Sequence, residues 1–373
     1  MSGSAPSFDA RTVELLIRNA RELCLRSWEL GTVYNTLIEL YHPDLGVFAG
    51  TAPASPPPDV VHAGLAAVLD ERDRLTGGDR DVARRTPLID GDGSAADPAA
   101  LGVAYYTLGQ LSGPDGARFT EAADDHLGIL LEQTPRGLDG IISHRVVELQ
   151  LWADQAYMLS PFIAYAGLVK NDIALLRESV TQLRLLYAHL AEPDPTKPQL
   201  LRHVVLGYKE RQHEDLGTWA CGNAWFVAGA VRTLATLDRS SFKVELEPER
   251  RLLARMTEAL LKLAFATNAG LLTSYLDQPG HPNHSEPGVS ALFVSASYRL
   301  AQLGYCNSTI ADAERVRVLA QSAVDDEGVV RQVIDYPTGA VDFRGRQVSP
   351  EAHAFMLLMH AAHRDWLGSR SDE

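Results

Sequence analysis

The chain has 373 residues, 46% of them hydrophobic, enough to bury a large core without disulfide or metal staples. Its 34 Lys and Arg against 48 Asp and Glu leave a formal charge of −14, which speaks against nucleic acid and anionic membrane surfaces as partners. No run reaches the ~18 apolar residues of a membrane span, and the three cysteines, Cys24, Cys221 and Cys306, make neither a disulfide framework nor a zinc set.

One disulfide or three reduced thiols are both compatible with that count. Residues Met1 to Asp9 carry no basic segment leading into an apolar one. As written, the chain is expected in the cytoplasm, or outside the cell if a leader has been removed.

Apolar residues recur at three-to-four spacing in a first series of segments, Val13–Leu25, Thr32–Leu40, Val60–Leu75, Pro98–Leu111, Ala117–Leu131 and Leu149–Leu168. A second series follows in Asp172–Leu190, Thr218–Leu237, Glu249–Ala266, Val289–Leu303, Ile310–Ala323 and Pro350–Trp366. Proline- and glycine-rich punctuation separates them, as in 53–58, 90–97, 135–140, 193–198 and 278–287. The clearest strand is Val329–Ile334. About twelve helices with short connections form either an open solenoid or a closed ring of six hairpins. A solenoid should repeat a consensus at fixed period, and none is found. The expectation is an all-α ring, an (α/α)6 barrel, as one domain over residues 1–373.

Four of the five tryptophans stand beside polar clusters: Trp28 in Ser27–Thr32, Trp152 before Asp154, and Trp219 and Trp225 around Asn223. Each alone reads as a core residue; together they suggest an aromatic-walled pocket with a few convergent polar groups, as a sugar needs. Asp154 lies in an apolar segment read as helix, where a carboxylate is costly unless paired or used, and burial would raise its pKa toward that of a proton donor. Asp97 before Pro98 reads first as a helix N-cap with proline at the next position. The glycine-rich 91–97 stretch lacks the ending of a phosphate loop. His144-Arg145 and Arg202-His203 can hold a carboxylate or simply face solvent. Lys209-Glu210-Arg211 reads as a solvated face. His281 and His284, near Glu286, lack the spacing of a metal set.

These segments taken together resemble glycoside hydrolase family 105, the unsaturated rhamnogalacturonyl hydrolases of the six-hairpin glycosidases, and within it a fungal-type branch. The similar segments are Ser27–Thr32, Gly91–Pro98, Ile142–Arg145, Gln150–Asp154 through Phe162, Arg202–Gly207, Trp219–Trp225 and Val348–Glu351, in family order over nearly the whole chain. The resemblance implies an (α/α)6 barrel that removes a 4,5-unsaturated galacturonyl residue from oligosaccharides such as pectin fragments. It implies Asp154 as general acid/base and Asp97 as an assisting carboxylate. It implies His144, Arg145, Trp152, His203, Trp219, Asn223 and Trp225 around the substrate. Cys221 stands where bacterial members usually carry Arg. No metal or cofactor is implied, and the expected partner is a small anionic oligosaccharide met by a monomer or homodimer, with neither nucleic acid nor membrane. Two alternatives remain: an intracellular barrel turned to another small-molecule, biosynthetic reaction, and a binding-only relative.

Overall fold

A computed structural model describes residues 7–49, 59–110, 114–206, 214–276, 284–331, 333–335, 340–342 and 349–370. The first half of the chain forms α1 (Ala10–Leu23), α2 (Ser27–Tyr41), α3 (Asp59–Thr76), α4 (Arg80–Ala83), α5 (Gly102–Gly109), α6 (Pro114–Gly128), α7 (Gln155–Met158), α8 (Ser160–Lys170) and α9 (Ile173–Leu190). The second half forms α10 (Ala220–Arg239), α11 (Glu247–Thr267), α12 (Pro287–Gln302), α13 (Ile310–Gln321) and α14 (Pro350–Ser369). Helices α2, α5, α8, α10, α12 and α14 pack in that order, and α14 returns to α2, closing the ring. Around it, α6 packs on α5, α9 on α8, α11 on α10 and α13 on α12, while α1 lies on α14 and α3 on α2. This is the (α/α)6 barrel.

Residue character sorts the two layers. In α10 every residue from Ala220 to Leu237 is buried, and in α12 every residue from Pro287 to Ala301. A helix that is small or apolar all round belongs inside. The outer α11 and α13 bury one stripe each, Leu253, Leu260, Leu261 and Ala264 on the former, Ala313, Val316 and Ala320 on the latter. Asp9 caps α1 and Asp172 caps α9 through bonds to backbone N–H groups, and Ser349 does the same for α14.

Inner helices approach closely where glycine permits it. A Cβ at Gly229 of α10 would stand 2.1 Å from the Ala156 carbonyl oxygen, inside the backbone of α7. We expect Gly229→Ala to destabilise the fold by about 1–3 kcal/mol, because the clash is with backbone rather than a movable side chain. Gly128→Ala, with nothing within 4 Å, is the control; helix propensity should make it neutral or stabilising by up to about 1 kcal/mol. Equal denaturant midpoints for the two variants would refute the close-contact account.

At the C-terminal ends of the inner helices a buried charge cluster spans the ring. Glu39 of α2 pairs with Arg232 of α10 and, at 3.1 Å, with Arg299 of α12. Arg299 also meets Asp365 of α14 at 2.7 Å.

Three sequence expectations are corrected. The helix expected over 149–168 begins instead with β1 (Leu151–Trp152), paired antiparallel to β2 (Val204–Val205), and its regular part starts only at Gln155. Asp154 is therefore the residue just before a helix, not one inside it. Asp97 is no N-cap either: it is the first residue of a 3-10 turn over Asp97–Leu101, and its N–H donates to the Ser94 hydroxyl at 3.0 Å. The strand expected over 329–334 is Val333–Asp335 (β3), paired with Ala340–Asp342 (β4). None of the three cysteines is in a disulfide.

Candidate active site

The N-terminal ends of α2, α5, α10, α12 and α14, with the short α7 that leads into α8, surround one cavity of about 540 Å³. Its walls take Trp28 from the start of α2, Asp97 from the turn before α5, Asp154 from the turn before α7, Trp219 from the start of α10, His284 from just before α12 and Glu351 from the start of α14. Helix N-termini carry partial positive charge and unpaired N–H groups, so the cavity floor favours an anion.

Short backbone pairings hold these cavity side chains in place. The Ala153 N–H donates to the His203 carbonyl at 2.9 Å, continuing the β1–β2 ladder, and the His144 N–H donates to the Gln150 carbonyl at 2.7 Å. The Gln155 carboxamide ties these layers together, accepting from the Trp152 N–H at 3.2 Å and donating to the Ile142 carbonyl at 3.0 Å. The rings then interlock. His144 stacks on Trp152 at 4.8 Å between centroids, His203 meets the edge of Trp152 at 5.5 Å, and Trp219 packs on His203 at 4.1 Å.

The carboxylates and imidazoles have distinct environments. Burial first, and repulsion by Asp154 second, push Asp97 up to about 7. Burial takes His144 down to about 3, so it is a neutral ring at physiological pH; its Nε2 lies 3.7 Å from Asp97 Oδ2. His203 Nε2 lies 3.6 Å from Asp154 Oδ2, and its Nδ1 lies 2.9 Å from Asp215 Oδ2. Burial disfavours the imidazolium, but these two carboxylates outweigh it and hold His203 above the ordinary histidine range. Asp154 Oδ2 is buried and has no hydrogen-bond partner among the described residues. It faces the His203 imidazole, while the Asp154 side chain as a whole keeps 17% of its surface exposed and lines the cavity. Opposite, Glu351 is raised by burial and by Glu29, and it accepts from the Trp28 indole N–H at 2.5 Å and the Ser349 hydroxyl at 2.6 Å.

Of the expected site residues, Asp154, Asp97, His144, Arg145, Trp152, His203, Trp219 and Trp225 all line this cavity. Asn223 does not. Its carboxamide is fully buried behind the wall, accepting from the Leu201 N–H at 2.9 Å and donating to the Leu201 carbonyl at 2.7 Å and the Trp219 carbonyl at 2.9 Å. It fixes the start of α10 and the strand before His203, not a ligand. Arg202 is likewise turned away, donating to the His189 and Leu190 carbonyls. Lys209, Glu210, Arg211, His281 and Val348 lie outside the described residues. Among cavity residues the motifs did not single out are Arg26, Asp215, Tyr275 and Met158. Asp215 closes a charged stretch that reads as solvated surface, so only its pairing with His203 reveals it. Glu351 follows Pro350 as an ordinary first-turn acid, and its burial is what sets it apart. Cys221 is buried in the cavity wall. No helix among the described residues is long and apolar enough to cross a membrane.

Comparison with known proteins agrees with this geometry. Solved structures share the architecture over nearly the whole chain. A possible member of the GH105 family from Salmonella enterica serovar Paratyphi A aligns with TM-score 0.70 at 16% identity, covering 98% of this chain and 96% of that one. The family 105 glycoside hydrolase of C. acetobutylicum aligns with TM-score 0.69 at 13% identity, over 94% and 99%. The unsaturated glucuronyl hydrolase of Bacillus sp. GL1, responsible for degradation of glycosaminoglycan, aligns with TM-score 0.62 at 14% identity, over 93% of each chain. At such identities the likeness speaks for the fold. No curated protein matches the chain closely enough to count as a relative. The model of Glycosyl Hydrolase Family 88 matches residues 86–356, a span that holds both Asp97 and Asp154, and on that match the chain belongs to glycosyl hydrolase family 88.

Proposed function

We propose that this glycoside hydrolase removes a 4,5-unsaturated uronyl residue, of the galacturonyl type, from the non-reducing end of an oligosaccharide. The observation that carries the reading is a buried Asp97 and a partly exposed Asp154 lining one aromatic-walled cavity ringed by helix N-termini. The helix ends and the Arg145 guanidinium, which no carboxylate pairs among the described residues, suit the uronate carboxyl group. Trp152, Trp219 and Trp225 suit the sugar face. The whole barrel, residues 1–373, acts as one domain in this reading.

The chemistry asked of the site is addition of water to an enol ether. Asp154 in its acid form gives its proton to C4, and C5 becomes an oxocarbenium centre conjugated with the ring oxygen. Water adds at C5 and loses its proton to the Asp154 carboxylate, restoring the acid. The hemiketal opens by breaking the C5–ring oxygen bond, and the hemiacetal left at C1 releases the neighbouring sugar. One carboxyl group thus serves as acid and then base. Asp97 in its neutral form donates a hydrogen bond without adding a second negative charge beside Asp154 and the substrate carboxylate.

The direct test is incubation with lyase-generated pectin, heparin and ulvan oligosaccharides, following the loss of conjugated-alkene ultraviolet absorbance. Consumption of unsaturated galacturonides is expected; no consumption of any of the three sinks the reading. The pH dependence follows from Asp97, which holds its proton below about 7 and loses it above. We therefore expect kcat/KM to fall as pH rises through about 7, and Asp97→Asn to lower the rate yet abolish that limb of the profile. A limb that persists in Asp97→Asn would assign it to another group.

A further inference from the structure

We propose that Asp215 is a positioning residue that acts through His203, fixing the imidazole with its Nδ1–H toward Asp215 and its Nε2 edge toward Asp154 and the cavity. The placement rests on the hydrolase reading only for its effect on turnover; the tautomer and orientation stand on geometry alone.

The Asp215 carboxylate is itself immobilised. Its Oδ1 accepts from the Gly217 N–H at 3.0 Å, and its Oδ2 accepts from the Tyr275 hydroxyl at 2.7 Å as well as facing His203 Nδ1 at 2.9 Å. Its backbone is locked to the strand carrying His203, through Val204 N–H to the Asp215 carbonyl at 2.9 Å and the reverse bond at 3.1 Å. An ionised carboxylate only accepts, so Nδ1 must donate. In a neutral imidazole that leaves the lone pair on Nε2, which faces Asp154 Oδ2 at 3.6 Å. Nε2 is thus turned toward Asp154 on the cavity side, while the Nδ1–H is directed at Asp215. The titratable groups facing His203 are Asp154, Asp215 and His144, with Tyr275 one bond further out; the packed faces are Trp152 and Trp219. Asp215 itself is held below the usual carboxylate range: burial works the other way, but the bonds from His203 and Tyr275 prevail.

The consequence for the reaction is orientational. Asp154 keeps an oxygen free for the substrate only if the imidazole beside it does not rotate to present a different edge. Loss of such alignment costs rate without costing binding, on the order of 10–100-fold for a misplacement near 1 Å.

The test is nitrogen-15 NMR of the histidine-labelled full chain, with no substrate added. In the wild type the neutral His203 ring is expected as the Nδ1–H tautomer, the less common one in free histidine, and the Nε2–H tautomer there overturns the proposal. In Asp215→Asn, the proton affinity of His203 is expected to fall by about tenfold or more, one pH unit or more in midpoint. An unmoved midpoint in a folded variant overturns it too, and if that variant does not fold, the wild-type tautomer decides alone. On an unsaturated uronide, Asp215→Asn should lower kcat by about 10–100-fold with KM little changed; a rise in KM with kcat intact would make Asp215 a binding contact and refute positioning. Should the wild type consume no uronide, the hydrolase reading fails, while the NMR result still stands for or against Asp215.

Discussion

Asp154→Asn is expected to lower turnover of a 4,5-unsaturated uronide by about 10²–10⁴-fold, the usual worth of a positioned proton donor, with no change in the denaturation midpoint. Protonation of an alkene carbon is slow, so the group that delivers the proton bears most of the barrier. The same side chain does little for the fold. Its carboxylate makes no helix-capping bond, and Oδ2 has no hydrogen-bond partner among the described residues. What the fold uses at this position is the backbone: the Asp154 carbonyl accepts from the Tyr157 N–H at 3.0 Å. Asn keeps that bond and nearly the same volume, yet cannot give and recover a proton. Activity loss accompanied by unfolding would mean the side chain is structural. Retention of most activity would leave the family membership standing and move proton transfer elsewhere, with Asp97 and His203 the titratable candidates in the same cavity. If the wild type instead consumes no uronide and converts another small molecule, the barrel serves a different reaction, and this variant should be assayed on that one.

The contrast between Asp154 and Asn223 shows what the amino-acid pattern can and cannot reveal. The ring itself was legible, because the inner α10 and α12 are small or apolar on every face while α11 and α13 carry a single buried stripe. Local spacing encodes that difference directly. The tryptophans and Asp154 were also legible, as aromatic or polar groups set in apolar company, whereas Asp97 read as a helix cap and stood out only through the family resemblance. Asn223 satisfies the same description and belongs to the frame, since its amide and carbonyl are consumed by the backbone of Leu201, twenty-two residues away. The segment 149–154 looked helical for a similar reason: Leu151, Trp152 and Ala153 are paired to 203–205, a partnership no local period records. Asp215 was hidden for the same cause, because it becomes a site residue only through the bridge of Val204 to Asp215 that sets its carboxylate against His203. Function here depends on contacts between segments that local spacing treats separately.

Glu39→Ala is expected to destabilise the protein by about 3–5 kcal/mol, the typical loss when one partner of a buried ion pair is removed. The side chain is 3% exposed, and it faces two guanidinium groups, Arg232 at 5% and Arg299 at 2%. Arg299 retains Asp365 and Gln302, both at 2.7 Å, after the change. Arg232 retains chiefly the ring faces of Tyr157 at 4.9 Å and Phe48 at 5.9 Å, a weak replacement for a carboxylate. Most of the loss should therefore come from Arg232 as an uncompensated buried charge. This reasoning makes a second, sharper expectation. In Glu39→Met combined with Arg232→Met the orphaned charge disappears, so the double variant should be more stable than the sum of the two single changes predicts, by about 1–3 kcal/mol. Strict additivity in chemical denaturation would show that the two side chains do not interact in the folded state. Location separates this effect from catalysis. The cluster sits toward the C-terminal ends of α2, α10, α12 and α14, whereas Asp97 and Asp154 sit just before α5 and α7 in the cavity at the opposite end of the ring. Under conditions where Glu39→Ala remains folded, its kcat should match the wild type within about twofold, well below the ~10²-fold expected from loss of a proton donor. A large kcat defect in folded Glu39→Ala would mean instead that the cluster sets the spacing of the inner helices at the far, cavity end of the ring.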